Sequence, residues 1–356
     1  MVCVHTTAIR HVVIRPLLVA VIAVPCIASV ALAEPAAPAP PAKPAPPAAP
    51  AQPAAPAKPP SPAEIAEKLK DTVEVRFDQP YAGNDNPRQQ LDVFLPRKRA
   101  TDAPLPVIVL IHGGGWASGD RKGFMGKAIE IAKTGQYAAV TVGYRLSGEA
   151  KWPAQIHDCK AAIRWIRGHA RELGIDPDRI GVAGGSAGGH LALLMGTSGN
   201  VPTLDGALGD CTDQPCHVAC VVNFCGPGDL HSPLFVGDEA KKPDPAVVGL
   251  IGGPPADLAD RAREASPVTY VSKDSPPVLT VHGTKDLRVD FKQAEIIDAA
   301  LKKAGAASFL VPVVGAGHGI PSPPELKARE KQFWDRYLRG MPGEISTAPI
   351  GPVATP

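Results

Sequence analysis

From about residue 63 onward, apolar positions alternate between two rhythms. The run Val107-Ile108-Val109-Leu110-Ile111 contains no polar position, the pattern of a strand buried on both faces. Similar runs predict strands at 138–144, 180–184, 218–224, 278–283 and 309–314. Two shorter segments, 73–78 and 91–96, predict a pair of strands with an antiparallel start. Apolar residues at helical spacing predict helices over 124–134, 153–173, 188–197, 291–304 and 325–338. Pro153 suits a first helical turn, where its missing N–H is not needed. Strands alternating with helices predict an α/β fold, a mostly parallel central sheet with helices on both faces.

The rhythm fails in three places. Residues 226–271 are rich in Pro, Gly and Asp, and predict a small lid insertion above the carboxyl ends of the strands, where such sheets build their sites. Residues 34–62 are nearly all Pro and Ala with a few lysines. Such a tract cannot bury enough apolar surface to offset its ordering entropy, so it predicts a semi-stiff linker. Upstream, Arg10, His11 and Arg15 precede an apolar run that ends Ala31-Leu32-Ala33. This is the layout of a secretory signal over residues 1–33, and it implies a secreted or periplasmic protein. Pro25 interrupts the run, which is short of the roughly 20 residues a spanning helix needs. No stable membrane span is expected after cleavage; an uncleaved anchor is the alternative.

Charge and cysteine usage narrow the chemistry. A formal net charge of +2 gives no electrostatic case for nucleic acid. Cys3 and Cys26 fall in the signal, leaving Cys159, Cys211, Cys216, Cys220 and Cys225. Cys211 and Cys216 flank a short polar loop where a disulfide could form in an oxidising compartment, and the sequence leaves that open. The other three lie in helix or strand patterns and read as small core residues. No Cys/His spacing resembles a zinc site, so no metal and no cofactor are expected.

Gly184-Gly185-Ser186-Ala187-Gly188 matches the G-x-S-x-G nucleophile elbow, between a predicted strand and a predicted helix as that motif requires. Ser186 is the candidate nucleophile. His112-Gly113-Gly114-Gly115-Trp116 directly follows the buried strand, and glycines there let backbone amides turn toward a developing oxyanion. Gly114, Gly115 and Ala187 are the candidate oxyanion-hole donors; Gly113 is a weaker one. His112 reads as a brace for this loop, and Trp116 as a wall of the substrate site or a packing residue. A serine needs a base, and the base an orienting acid, in the chain order Ser, acid, His. Five histidines follow Ser186: His190, His217, His231, His282 and His318. His190 is too near along the elbow helix, His217 and His231 precede any late acid, and His282 lies within the strand that delivers the acid. His318, in the loop Gly315-Ala316-Gly317-His318-Gly319, remains. Asp286, after His282-Gly283-Thr284-Lys285, is the candidate acid, with Asp290 the alternative.

These motifs, together with Tyr144-Arg145-Leu146, Trp152-Pro153-Ala154 and Asp176-Pro177-Asp178-Arg179-Ile180, resemble the esterase/lipase branch of α/β-hydrolases related to hormone-sensitive lipase. Within it the chain most resembles BD-FAE-like carbohydrate esterases, over about residues 73–338. The resemblance implies an α/β-hydrolase fold and hydrolysis of acetyl or hydroxycinnamoyl esters, often on plant polysaccharide. Gly185 stands where many hormone-sensitive-lipase relatives carry an acidic residue, which favours the carbohydrate-esterase-like group. The expected organisation is a catalytic domain at 63–340 and a disordered tail at 341–356, acting on a small-molecule or polysaccharide ester. A prolyl-oligopeptidase-like peptidase, an amide hydrolase and a non-catalytic binding protein are the rivals.

Overall fold

The structure, a computed structural model, describes residues 61–236 and 242–352. The segment expected to be a secretory signal and all but the last two residues of the expected linker lie outside the described residues. Ser61 and Pro62, read as linker, instead open helix α1 (Pro62–Leu69), where Ser61 and Glu64 form a reciprocal cap.

The strands are β1 (Val73–Pro80), β2 (Gln90–Pro96), β3 (Leu105–Ile111), β4 (Ala138–Val142), β5 (Ile175–Gly185), β6 (Cys220–Phe224), β7 (Val278–Gly283) and β8 (Ser308–Val313). They form one sheet in the order β1-β2-β4-β3-β5-β6-β7-β8. β2 pairs antiparallel with both β1 and β4, and every later pairing is parallel. Side chains on β3 alternate between two cores, with Val107, Val109 and Ile111 in one and Ile108 and Leu110 in the other. A strand covered on both sides favours apolar residues at every position, and this one is continuously apolar.

Helices α2 (Met125–Lys133) and α10 (Pro324–Arg339) join α1 on one face of the sheet. The other face is covered by α3 (Ala154–Gly168), α4 (Ala170–Leu173), α5 (Ala187–Thr197), α6 (Pro233–Val236), α7 (Pro245–Ile251), α8 (Ala259–Glu264) and α9 (Lys292–Ala304). This is the α/β-hydrolase architecture. The single helix expected over 153–173 is two, because the chain turns at His169. No helix among the described residues is long and apolar enough to cross a membrane.

Two expectations change, and one question that the sequence leaves open is answered. The segment 226–271 carries α6, α7 and α8, and its Val247, Leu250, Ile251, Ala262 and Ala265 are buried in the same core as α5. Its helices are too short for the apolar spacing to stand out against the Pro and Gly between them. Residues 341–352 are not a disordered tail. Ile350 donates its N–H to Pro312 O and accepts from Val314 N, at 2.9 and 2.8 Å, and Ile345 and Ile350 are buried. β8 is an edge strand with free backbone groups, and this segment satisfies some of them. Cys211 and Cys216 are free thiols, and Cys216 Sγ lies 3.2 Å from an Arg164 N–H instead.

Candidate active site

The parallel strands β3, β5, β6, β7 and β8 all end on one edge of the sheet, so the loops that follow them meet there. Ser186 is the pivot between β5 and α5, with φ 55° and ψ −122°, a conformation that stores strain in a non-glycine residue. The turn closes so tightly that a Cβ at Gly184 would stand 2.2 Å from Gly188 O, and one at Gly188 2.1 Å from Ile111 O. Neither position can carry a side chain. The Ser186 amide is fixed by a 2.8 Å bond to Phe224 O.

His318, in the loop after β8, places Nε2 2.9 Å from Ser186 Oγ and Nδ1 2.8 Å from Asp286 Oδ2. Asp286, after β7, has a buried side chain whose Oδ1 accepts from the Arg288 and Val289 amides at 2.8 and 2.9 Å. Its Oδ2 also lies 3.2 Å from Nε2 of the fully buried His282. Burial alone would raise the Asp286 carboxyl. The hydrogen bonds from His282, His318 and the two amides outweigh it and hold the group well below the usual carboxylate range. The bond to Asp286, followed by the nearby Cys225 thiol, raises the imidazole of His318 against the opposing effect of burial. Asp290 is exposed and accepts from Lys292 N at 2.9 Å at the start of α9. Its side chain closes a turn just before α9 and does not face the site.

The glycine loop lies across the elbow. A Cβ at Gly113 would meet Gly185 O at 2.7 Å, so the two turns are in direct contact. Gly114, Gly115 and Trp116 all have positive φ. No hydrogen bond among the described residues uses the amides of Gly114, Gly115 or Ala187. His112 stacks on Tyr144 at 4.3 Å and its Nδ1 bonds Gly113 O at 2.8 Å, consistent with a brace. Burial lowers its pKa. Trp116 is 4% exposed, and its indole N–H donates to His190 Nδ1 at 3.2 Å, while His190 Nε2 donates to Ala265 O at 2.6 Å. The Trp116 ring is therefore mainly a packing element that ties the loop to α5 and α8. His217 and His231 do not enter the site.

Two residues near the site carry no sequence signal as partners of the chain of hydrogen bonds. His282 is excluded as a base by its place in β7, yet it sits four residues before Asp286, and its Nε2, bonded to Val289 O at 2.8 Å, also lies 3.2 Å from the same carboxylate. Cys225, read as a core residue, is buried but lines the cavity in front of Ser186, with Sγ 3.4 Å from His318 O.

Two spaces flank Ser186. One, of about 430 Å³, is lined by Gly113, Phe124, Phe224, Ile320 and Leu326. The other, of about 20 Å³, is bounded by Gly115, Trp116, Ala187, Phe235 and Val289, and by Arg288, which pairs with Asp244 at 3.3 Å. Lys127 lines the larger space and also a neighbouring cavity of about 500 Å³ between α2 and α10.

The BD-FAE family model matches residues 91–301 of the 356. The chain is similar to esterase LipC of Mycobacterium tuberculosis, 32% identical over 239 residues that cover 66% of this chain and 58% of LipC. It thus spans little more than half the length of that curated relative. Among solved structures it is similar to a truncated carbohydrate esterase from gut microbiota, with TM-score 0.68 and 28% identity over 76% of this chain and 98% of the other. It is also similar to esterase 2 of Thermogutta terrifontis phosphoramylated by tabun, with TM-score 0.58, 28% identity and coverage of 76% and 94%. With the family model matching more than half of its residues, the chain belongs to the BD-FAE family of α/β-hydrolases.

Proposed function

We propose that this protein is a serine carboxylesterase in which Ser186, His318 and Asp286 act as nucleophile, base and orienting acid. The observation that carries the reading is the unbroken chain of hydrogen bonds from Ser186 Oγ through His318 to Asp286, at 2.9 and 2.8 Å, opening on a cavity. Ser186 attacks the ester carbonyl while His318 Nε2 takes its proton. Asp286 holds the imidazole in the tautomer with Nδ1–H and stabilises the imidazolium that forms. The free amides of Gly114, Gly115 and Ala187 receive the oxyanion. His318 then protonates the leaving alcohol, and water releases the acid by the reverse steps. The named esterases among the relatives support the same activity.

The asymmetry of the two spaces points to a short acyl group. The smaller one, at about 20 Å³, has room for little more than one water-sized group, enough for an acetyl methyl beside the oxyanion donors. The larger space then takes the alcohol, with the cavity past Lys127 available to a sugar or polymer chain. A flat aromatic acyl group would fit only the larger space, between Phe124 and Phe224, not against the buried Trp116. The similarity to a carbohydrate esterase and the secretory pattern at residues 1–33 both support an exported enzyme acting on a carbohydrate ester. The test compares kcat/KM for acetyl and dodecanoyl esters of one alcohol, with a peptide anilide alongside. The acetyl ester is expected to lead the dodecanoyl one by about tenfold or more. A preference for dodecanoyl would contradict the size argument, and faster cleavage of the peptide would contradict the esterase reading.

A further inference from the structure

Three side chains with metal-binding chemistry converge at this site, whereas ester hydrolysis calls on only two of them. Cys225 directly follows β6 with φ 45°, and its amide is held by Val281 O at 2.9 Å. The turn aims its thiol into the site, where Sγ lies 3.4 Å from the His318 carbonyl oxygen. One ligand atom each from Cys225, Asp286 and His318 lie within 4.8 Å of one another, the only such trio among the described residues. Sulfur, imidazole nitrogen and carboxylate oxygen form a donor set that zinc accepts, at bond lengths of about 2.0–2.3 Å. In a tetrahedral zinc site these bonds put the ligand atoms about 3.3–3.8 Å apart, so small side-chain shifts would bring all three onto one ion. Hard cations such as magnesium prefer all-oxygen sites and lack that match.

We propose that Cys225, Asp286 and His318 form an inhibitory site for a thiophilic divalent cation, zinc fitting best. Binding forms a zinc–sulfur bond and releases the thiol proton to solvent, with no change of oxidation state. The imidazole must lend a nitrogen, and either choice stops turnover. An ion on Nδ1 sends the proton shared with Asp286 to Nε2, which then cannot accept one from Ser186, and an ion on Nε2 takes that same lone pair directly. The inhibitory effect rests on the esterase reading above; the binding does not.

The experiment titrates the full chain with zinc chloride, cadmium chloride and, as a hard-ion control, magnesium chloride. Hydrolysis of p-nitrophenyl acetate is followed, each variant normalised to its own metal-free rate. Zinc is expected to inhibit the wild type reversibly, with full recovery on adding EDTA, while magnesium has no effect. Cys225→Ala is expected to require about tenfold more zinc or beyond, and Cys225→Ser serves if the alanine variant does not fold. Independently of turnover, cadmium is expected to give an ultraviolet thiolate-to-metal charge-transfer band that both variants lack. Equal zinc sensitivity in a folded Cys225 variant, or no cadmium band in the wild type, would overturn the proposal. A cadmium band that depends on Cys225, in a protein that hydrolyses no ester, would uphold the metal site and sink the esterase reading instead.

Discussion

Asp286 and Asp290 follow the same strand four residues apart, and their surroundings give them different work. Asp286 is buried and takes hydrogen bonds from His318 and two amides, with His282 Nε2 3.2 Å away; Asp290 faces solvent and closes a turn before α9. Asp286→Asn should therefore lower kcat by orders of magnitude, on the order of 10⁴-fold, because the imidazole loses the partner that sets its tautomer. Asp290→Asn should change kcat by less than about twofold, since asparagine can accept the same turn hydrogen bond from Lys292 N and the side chain lies outside the site. Steady-state kinetics on the two variants decide the matter, and a reversed order would make Asp290 the acid. A second residue-scale consequence concerns His190. Burial lowers its pKa to about 4, against the opposing pull of its bond to Ala265 O. The unfolded chain, with an ordinary histidine near 6.5, binds the proton more readily, so stability is complete above about pH 6.5 and falls as pH drops toward 4. The loss is on the order of 3 kcal/mol. Urea melts at pH 7, 5.5 and 4.5 should show a shallower pH slope in His190→Gln than in the wild type; parallel slopes would contradict this. Ser186, His318 and Asp286 were legible as candidates because chain order and strand ends filter the choices. The approach of His282 to Asp286 and of Cys225 to His318 were not, because both arise from contacts between neighbouring strand ends.

At the scale of elements, the buried strands were the most readable part of the chain. β3 carries an unbroken apolar run because both faces of the sheet are covered, and the run itself reports that burial; β7 is equally buried although it includes Thr280 and His282. Boundaries were less readable. β5 starts at Ile175, five residues before the apolar run, where Asp176 and Arg179 pair with each other at 2.6 Å rather than pack. The short helices α7 and α8 were hidden by their length, since two turns give too few apolar positions to establish a period. The segment 341–352 was hidden by its prolines and small residues, although Ile345 and Ile350 belong to the core that β8 and α10 share on the α1 face of the sheet. Burying two isoleucines contributes roughly 3 kcal/mol or more. Truncation after Pro342 should accordingly lower the urea midpoint by a corresponding amount without touching the site. An unchanged midpoint would mean that this segment contributes nothing to the fold.

For the molecule as a whole, the sheet order decides where chemistry is possible. Five parallel strands deliver the glycine loop, Ser186, Cys225, Asp286 and His318 to one edge, and helices on both faces leave that edge open. The alternation of strands and helices made this architecture legible from the chain. The relative size of the spaces beside Ser186 was not, because it depends on how Phe235, Arg288 and Asp244 close one side while Phe124 and Phe224 line the other. The activation of Ser186 as a nucleophile by His318 is the step on which the proposed ester hydrolysis depends. It is tested most directly by treating the protein with a small organophosphate and locating the adduct by peptide mass spectrometry while ester hydrolysis is followed in parallel. One phosphoryl group per chain on Ser186, with activity falling in proportion and no labelling of folded Ser186→Ala, is the predicted result. Full loss of activity with the adduct on another residue, or ester turnover that survives complete labelling of Ser186, would contradict it.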